Sequence, residues 1–202
     1  MGLAVSVIQK IKHDFENHCI MILVSAYYTS ILKHDYRIDW MENDFTSMLD
    51  KYIQCNPQRV RWRISCNIEE HLHSDIIQNI KGFANKESRI DMRMSSFCKK
   101  MEYFFYVEAK RLKENDSDLL KRYIDTGINH YITQKYPHGI LLGYLVKGGI
   151  DTTIQKINDI LNNSNRSSEI LVRMPNPIHN QYFESTHANF GVIKHFVFDY
   201  SK

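Results

Sequence analysis

The stretch that decides the fold is YFFYVEAKRL, residues 103–112, which combines aromatic and β-branched side chains with three charged ones. Residues of the first two kinds are typical of a strand, in which alternate side chains share one face. Glu108 and Lys110 would therefore project from the same face as Phe104 and Tyr106. Because an uncompensated charge is costly to bury, the stretch predicts a strand that carries a site for charged groups.

The preceding stretch SRIDMRMS, residues 88–95, predicts the partner of this strand. Its apolar and charged residues alternate, which is typical of a strand with one buried face. SSFCKKM, residues 95–101, would form the turn between the two strands. The sequence therefore predicts a β-hairpin.

Symmetric pairing about Lys99 and Lys100 would place Asp91 directly across from Glu108. Side chains that face each other in an antiparallel pair have Cβ atoms roughly 4.5–5.5 Å apart. Two carboxylates at that distance repel each other unless a cation lies between them. A hard divalent cation is the natural partner, because such ions favour carboxylate and carbonyl oxygens.

The remaining elements follow from hydrophobic periodicity. We expect helices over residues 3–34, about 40–54, about 117–136 and 151–163, with Asp151 as a helix N-cap. We expect strands at RVRWRISCNI (59–68), GILLGYLV (139–146), EILVRMP (169–175) and GVIKHFVFDY (191–200). GILLGYLV is apolar on both faces, which predicts a central strand covered by helices. The fold class is therefore α/β, with a mixed central β-sheet flanked by helices in a single domain, residues 1–202.

Composition excludes several classes of protein. Apolar residues make up 43% of the chain and charged residues 24%, which is typical of a globular domain and excludes disorder or a fibre. The net charge of +3 is too small to indicate a nucleic-acid-binding protein by itself. No cysteine spacing indicates a disulfide framework, and CIMILVSAYY (19–28) is too short to span a bilayer. We therefore expect a cytoplasmic protein without a membrane anchor.

Asp91, followed by Glu108-Ala109-Lys110 on an adjacent strand and then by a helix and a central strand, resembles the PD-(D/E)XK (restriction-endonuclease-like) nuclease superfamily. The resemblance covers about residues 40–147. The N-terminal helix, 3–34, and a C-terminal extension, 148–202, with a pair of strands, lie outside it. The chain has Ile90 where the motif name has a proline.

The resemblance implies a metal site. Asp91, Glu108 and the backbone carbonyl of Ala109 would hold Mg²⁺, for which Mn²⁺ would substitute, and Lys110 would orient the attacking water. A further carboxylate is expected from the preceding helix, and Glu42 is the candidate. The alternative for Glu42 is a capping box, in which Asp39 is the N-cap and Glu42 the N3 residue. Both interpretations of Glu42 stay open at this point.

The function implied by the resemblance is that of a metal-dependent phosphodiesterase, most plausibly a DNA endonuclease in restriction, repair or phage defence. Its partners would be DNA, a second copy of the chain in a homodimer, and other proteins of a defence or restriction system. The candidates for nucleic-acid contacts are Arg89, Arg93, Arg111, Lys121, Arg122 and Gln134. The alternatives are a surface hairpin with a simple Glu–Lys ion pair, and a catalytically silent binding or scaffolding subunit.

Three weaker features complete the sequence analysis. Ser185 and His187 in STHAN could indicate nucleophilic catalysis, but no nucleophile-elbow motif accompanies them, and we interpret the stretch as a turn. His71 and His73 could bind zinc, but no further cluster completes such a site. Gly127, in the middle of a predicted helix, indicates close packing against a neighbouring element.

Overall fold

The structure is a computed structural model that describes residues 2–72, 89–98, 101–136 and 138–202. His73, Lys99 and Lys100 lie outside these ranges. The fold is mixed α/β and contains one seven-stranded sheet with helices. None of the helices in the described ranges combines the length and the apolar character that crossing a membrane requires.

The helices are α1 (Gly2–Lys33), α2 (Glu42–Gln54), α3 (Pro57–Arg61), α4 (Ser117–Arg122), α5 (Asn129–Ile132) and α6 (Ile150–Asn163). A π-helical segment, Tyr123–Ile128, joins α4 to α5, and a 3-10 turn, Ser167–Glu169, follows α6. The strands are β1 (Ser65–His71), β2 (Arg89–Cys98), β3 (Met101–Lys113), β4 (Gly139–Lys147), β5 (Val172–Arg173), β6 (Tyr182–His187) and β7 (Gly191–Asp199).

The sheet has the order β1-β2-β3-β4-β7-β6-β5, so β4 is the central strand, as the sequence predicted. The strands β3, β4 and β7 are parallel to one another, whereas both ends of the sheet are antiparallel. The predicted hairpin register is confirmed, since Met92 pairs with Val107 and Cys98 pairs with Met101. The C-terminal extension continues the same sheet.

Two apolar layers cover the two faces of the sheet. On β3, Phe105 and Val107 pack with α1 and α2, whereas Tyr106 and Leu112 pack with α4, the π segment and α6. Alternate residues of a strand therefore enter different layers, as the pleat requires. Glu108 and Lys110 share the second face, beneath the helix that follows β3.

The structure corrects the expected strand over residues 59–68. Its first part is the short helix α3, because Asn56 accepts a hydrogen bond from the Gln58 amide and Pro57 occupies the first helical position. Val60 is 68% exposed rather than buried. Strand β1 begins only at Ser65.

The C-terminal half contains three further corrections. The helix expected to start at Asp151 starts one residue earlier with Gly149 as its N-cap, and the Asp151 carboxylate binds Arg173 instead. Ser185 and His187 lie in strand β6, not in a turn, so β6 separates the two expected C-terminal strands. Of EILVRMP, only two residues form a strand.

The helix expected over 117–136 is present but irregular. It consists of α4, the π segment and α5, and it ends at Ile132. Gly127 lies in the π segment, where a Cβ would come within 3.0 Å of Leu141 Cδ2 on β4. The expected close packing at Gly127 is therefore confirmed. π-helical segments are rare and occur frequently at functional sites.

Candidate functional site

Strand β3 brings Glu108 and Lys110 together as a buried ion pair. Lys110 Nζ donates to Glu108 Oε1 over 2.5 Å, and the two residues are 6% and 4% exposed. Their alternation on the strand places both side chains under the helix formed by α4, the π segment and α5. Because a buried pair of this kind gains little stability over apolar residues, it is a candidate for function.

Asp91 joins this pair at the point where the β2–β3 ladder ends. The last paired residues are Met92 and Val107, and beyond them Asp91 Oδ2 accepts a hydrogen bond from the Ala109 amide over 2.6 Å. A side chain thus replaces a main-chain acceptor at this end of the hairpin. The structure therefore brings the three predicted catalytic residues into one cluster.

Burial and mutual repulsion perturb both carboxyl groups. Burial, and then the charge of Asp91, raise the pKa of Glu108 to about 7, whereas Lys110 acts in the opposite direction. Burial also raises the pKa of Asp91, against the effects of Lys110 and of the Ala109 amide. Carboxyl groups with a pKa raised by burial and by a like charge occur frequently at functional sites.

The Ala109 peptide lies between these groups. Its N–H binds Asp91, and its carbonyl oxygen accepts a hydrogen bond from Lys110 Nζ over 2.8 Å. The Lys110 ammonium thus contacts Glu108 and the Ala109 carbonyl, which are two of the four predicted metal ligands. In this arrangement the Lys110 ammonium is itself the cation that lies among the oxygen atoms.

The donor set fits a hard divalent ion, because it consists of carboxylate and carbonyl oxygens. It contains only two acidic side chains. Accordingly, across the described ranges no group of three or more His, Cys, Asp or Glu residues is arranged to hold a metal ion. A metal site here would depend on the backbone carbonyl and on displacement of the Lys110 ammonium.

Glu42 lies at the start of α2 and close to this cluster, since its charge raises the pKa of Asp91. Its Oε2 accepts from the Arg111 amide, and its Oε1 accepts from Arg122, each over 2.7 Å. The proposed Asp39–Glu42 capping box is wrong, because the N-cap is Met41 and its amide binds the Asp44 carboxylate. Glu42 instead ties α2 to β3 and α4.

The predicted nucleic-acid-binding residues have different environments. Arg89, Lys121 and Gln134 are exposed, and Arg111 is half-buried. Arg93 forms an ion pair with Glu70 and lies over the Phe104 ring, and Arg122 binds Glu42. Exposure to solvent is therefore the main feature of three residues in this set, Arg89, Lys121 and Gln134.

Three further residues lie at this site: the sequence indicated His130 only as a polar position of the predicted helix and Tyr131 only as part of its buried side, and it did not single out Tyr136. His130 and Tyr131 come from α5, and Tyr136 follows it. Burial, followed by the charge of Glu108, raises the pKa of both tyrosines, and the Tyr136 hydroxyl donates to the Arg89 carbonyl. Burial, followed by the charges of Lys135 and Lys110, lowers the pKa of His130 to about 4.

The apolar periodicity of the helix already included Tyr131, but only as a core residue. Its hydroxyl donates to the Ile140 carbonyl over 2.7 Å, so it has a polar role as well. A tyrosine on the buried face of a helix, directly after a histidine, is a signal that could have indicated this part of the site.

These residues define a compact cluster of acid, base and hydroxyl groups at one end of the β2–β3 hairpin. The expected resemblance to a nuclease superfamily rests on the sequence pattern of this chain alone. Comparisons with family models, with curated proteins and with solved structures returned no match.

Proposed function

We propose that this chain is a Mg²⁺-dependent nuclease of the PD-(D/E)XK type with a restriction-endonuclease-like core, and that it hydrolyses phosphodiester bonds of DNA. The observation that carries the proposal is the cluster in which Asp91, Glu108 and Lys110 meet around one peptide group. Glu108 and Lys110 lie on one strand next to the central parallel strand β4. A simple surface ion pair would not need this burial.

In the proposed reaction, Asp91, Glu108 and the Ala109 carbonyl would hold the metal ion. The ion would supply Lewis-acid polarisation of the phosphate and a lowered pKa for its bound water. Lys110 would leave its contact with the Ala109 carbonyl and orient the attacking water. The Ala109 amide keeps the Asp91 carboxylate in position through its hydrogen bond.

The substrate would approach along residues that border the cluster. Arg89 precedes Asp91 on β2, and Lys121 lies on α4, where both are exposed. Positive side chains of this kind bind phosphates without reading sequence. DNA is the proposed substrate because the superfamily that the motif resembles acts mainly on DNA.

The test is a cleavage assay on supercoiled plasmid, single-stranded DNA and RNA, each with Mg²⁺, Mn²⁺ or EDTA. We expect cleavage of DNA with either metal ion and none in EDTA. Asp91→Asn should abolish cleavage, whereas Asp118→Asn, at an exposed position in the first turn of α4, should cleave like the parent.

A catalytically silent binding subunit is the second candidate function. The Lys110 ammonium favours it, because it compensates the Glu108 carboxylate without a metal ion. Calorimetry separates the two candidates. Binding of Mn²⁺ without cleavage of any substrate supports a partner-dependent enzyme, whereas no binding of Mn²⁺ supports the silent subunit and contradicts the nuclease.

A further inference from the structure

A second polar cluster is buried on the C-terminal side of the sheet, away from Asp91 and Glu108. Its side chains form an uninterrupted series of hydrogen bonds, which we call the buried relay. Its members are Tyr123 in the π segment, His195 in β7, Ser185 and His187 in β6, and Glu169 in the 3-10 turn.

The distances of the buried relay are those of good hydrogen bonds. Tyr123 Oη lies 2.9 Å from His195 Nδ1, and His195 Nε2 lies 2.7 Å from Ser185 Oγ. Ser185 Oγ also lies 2.7 Å from His187 Nε2, and His187 Nδ1 lies 2.8 Å from Glu169 Oε2. The relay thus connects the π segment to the surface turn that carries Glu169.

The Ser185–His187–Glu169 part has the connectivity of an activated serine nucleophile. Two observations argue against that role. Ser185 is 1% exposed, and its oxygen is already shared by two imidazoles. A substrate carbonyl could not reach it in this arrangement, so the buried relay needs another explanation.

Counting hydrogen atoms shows that the buried relay has a single proton arrangement. Glu169 is ionised, because hydrogen bonds from Arg166 and His187 hold its pKa below the ordinary value although burial alone would raise it. The carboxylate therefore requires the Nδ1–H form of His187, whose Nε2 then accepts the Ser185 hydroxyl.

The same reasoning fixes the other half of the buried relay. Since the hydrogen of Ser185 points to His187, its oxygen must accept Nε2–H from His195. His195 Nδ1 is then the acceptor of the Tyr123 hydroxyl. All the donors and acceptors of the relay are satisfied only when both imidazoles are neutral.

An added proton has no place in this arrangement. On His195 it would face the Tyr123 hydroxyl, and on His187 it would displace the Ser185 hydrogen, so that one buried donor would lose its acceptor. Burial, and then the charge of His187, lower the pKa of His195 to about 3. Burial also lowers the pKa of His187, with Arg166 acting in the same direction and Glu169 against it.

The groups that face the two imidazoles come from every neighbouring element. The titratable or charged ones in the described part of the chain are Tyr123 from the π segment, Glu169 from the 3-10 turn, Arg166 from the loop before it, and the other imidazole. Among these groups only Glu169 favours a charged imidazole, and of the two imidazoles it contacts only that of His187.

The π segment also leads directly into α5, which contributes His130 and Tyr131 to the candidate site. Gly127 packs against Leu141, which pairs with Glu108 in the sheet, and α5 carries His130. We propose that the buried relay is an acid-sensitive latch. It holds the π segment on strands β6 and β7 when its histidines are neutral and releases this segment when one of them is protonated. The latch does not depend on the proposed nuclease activity.

The first test is nitrogen-15 NMR of the histidine rings in the full chain. At pH 7 we expect His187 in the Nδ1–H form and His195 in the Nε2–H form, both neutral. The same forms should persist to pH 5 in the closed molecules. The opposite form at either ring, or titration of His195 near pH 6.5 without loss of structure, would overturn the proposal.

The second test is amide hydrogen exchange, expressed as protection factors at pH 7 and pH 5. One imidazole that takes up a proton on opening makes opening roughly 20-fold more favourable over this interval, if its open-state pKa is ordinary. We therefore expect protection of the π segment and of β6 to fall together by about that factor. Unchanged protection contradicts the latch.

Ser185→Ala removes the central hydroxyl and should reduce protection of the same segments already at pH 7. Thr186→Ala, at the exposed neighbouring position, is the matched control and should behave like the parent. If Ser185→Ala folds and keeps the parent's protection and pH dependence, the latch is wrong. If it does not fold, the ring tautomers and the pH dependence of the parent still decide.

Discussion

At the scale of single residues, Asp91 is the position at which the main-chain pairing of β2 with β3 ends and a hydrogen bond to a side chain replaces it. We predict that Asp91→Asn weakens Mn²⁺ binding by at least about tenfold, because losing even an indirect supporting group typically costs 10–100-fold in affinity. The fold should survive, since the amide oxygen of asparagine can still accept the Ala109 N–H. Calorimetric titration and circular dichroism measure the two effects. An unchanged Mn²⁺ affinity would show that Asp91 is not a ligand.

Lys110 separates metal binding from catalysis. Its ammonium contacts Glu108 Oε1 and the Ala109 carbonyl, so Lys110→Met frees two predicted ligands and should leave Mn²⁺ affinity equal to or higher than that of the parent. Cleavage should slow by about 10²–10³, the usual effect of losing one group that stabilises charge at the reacting centre. Single-turnover rates at saturating protein provide the measurement. Equal rates for variant and parent would remove Lys110 from the mechanism.

At the scale of elements, Gly139 fixes the start of the central strand against β3. It has φ of +141°, and a Cβ there would come within 2.0 Å of the Tyr106 carbonyl oxygen. Gly191 also has a positive φ, +94°, but a Cβ there would meet nothing within 4 Å. Both alanine variants therefore carry backbone strain of about 1–3 kcal/mol, and only Gly139→Ala adds a clash.

We predict that Gly139→Ala lowers the free energy of unfolding by at least about 1 kcal/mol more than Gly191→Ala does, because relieving a clash in a packed core typically costs 1–3 kcal/mol. Urea unfolding of the two variants measures the difference. Equal losses would mean that the β3–β4 contact relaxes without cost.

The elements also show what the sequence could predict. The hairpin register followed from alternation, because a shift by one residue would move Met92 and Met94 out of the core. The π segment could not be predicted, since its apolar spacing also fits an ordinary helix. Strand β6 was missed because Ser185 and His187 are polar, and only the relay that satisfies them makes their burial possible.

The predictable part of the site was the cluster of Asp91, Glu108 and Lys110, which two strand patterns and one register bring together. The part of the site that could not be predicted was the contribution of the helix that follows β3. Tyr131 and Tyr136 approach Glu108, and His130 approaches Lys110, because the helix packs over β4 at Gly127, and that tertiary contact leaves no periodic signal.

At the scale of the whole molecule, two kinds of buried group set opposite pH dependences. The lowered pKa of the His195 ring means that its contribution is complete above the ordinary histidine pKa and is lost as the pH falls towards 3. The pKa of Glu108 is raised, so its contribution is present below about 4.5 and is lost as the pH rises through about 7. Taken together, these two groups stabilise the folded state most between about pH 4.5 and the ordinary histidine pKa, and less on either side of that range.

Glu108→Gln tests the loss of stability that we expect as the pH rises. In metal-free buffer with EDTA, the ionised Glu108 of the parent should lower stability between pH 5 and pH 8 by up to about 3 kcal/mol, the free-energy equivalent of a pKa of about 7 instead of 4.5. Glutamine keeps the shape and cannot ionise, so the variant should show little decline over this range. Glu102→Gln, at an exposed position on the same strand, should decline like the parent. Urea unfolding at each pH gives the free energies of unfolding. If these free energies change with pH in the same way for the parent and for Glu108→Gln, Lys110 compensates Glu108 fully and Glu108 takes up no proton on folding.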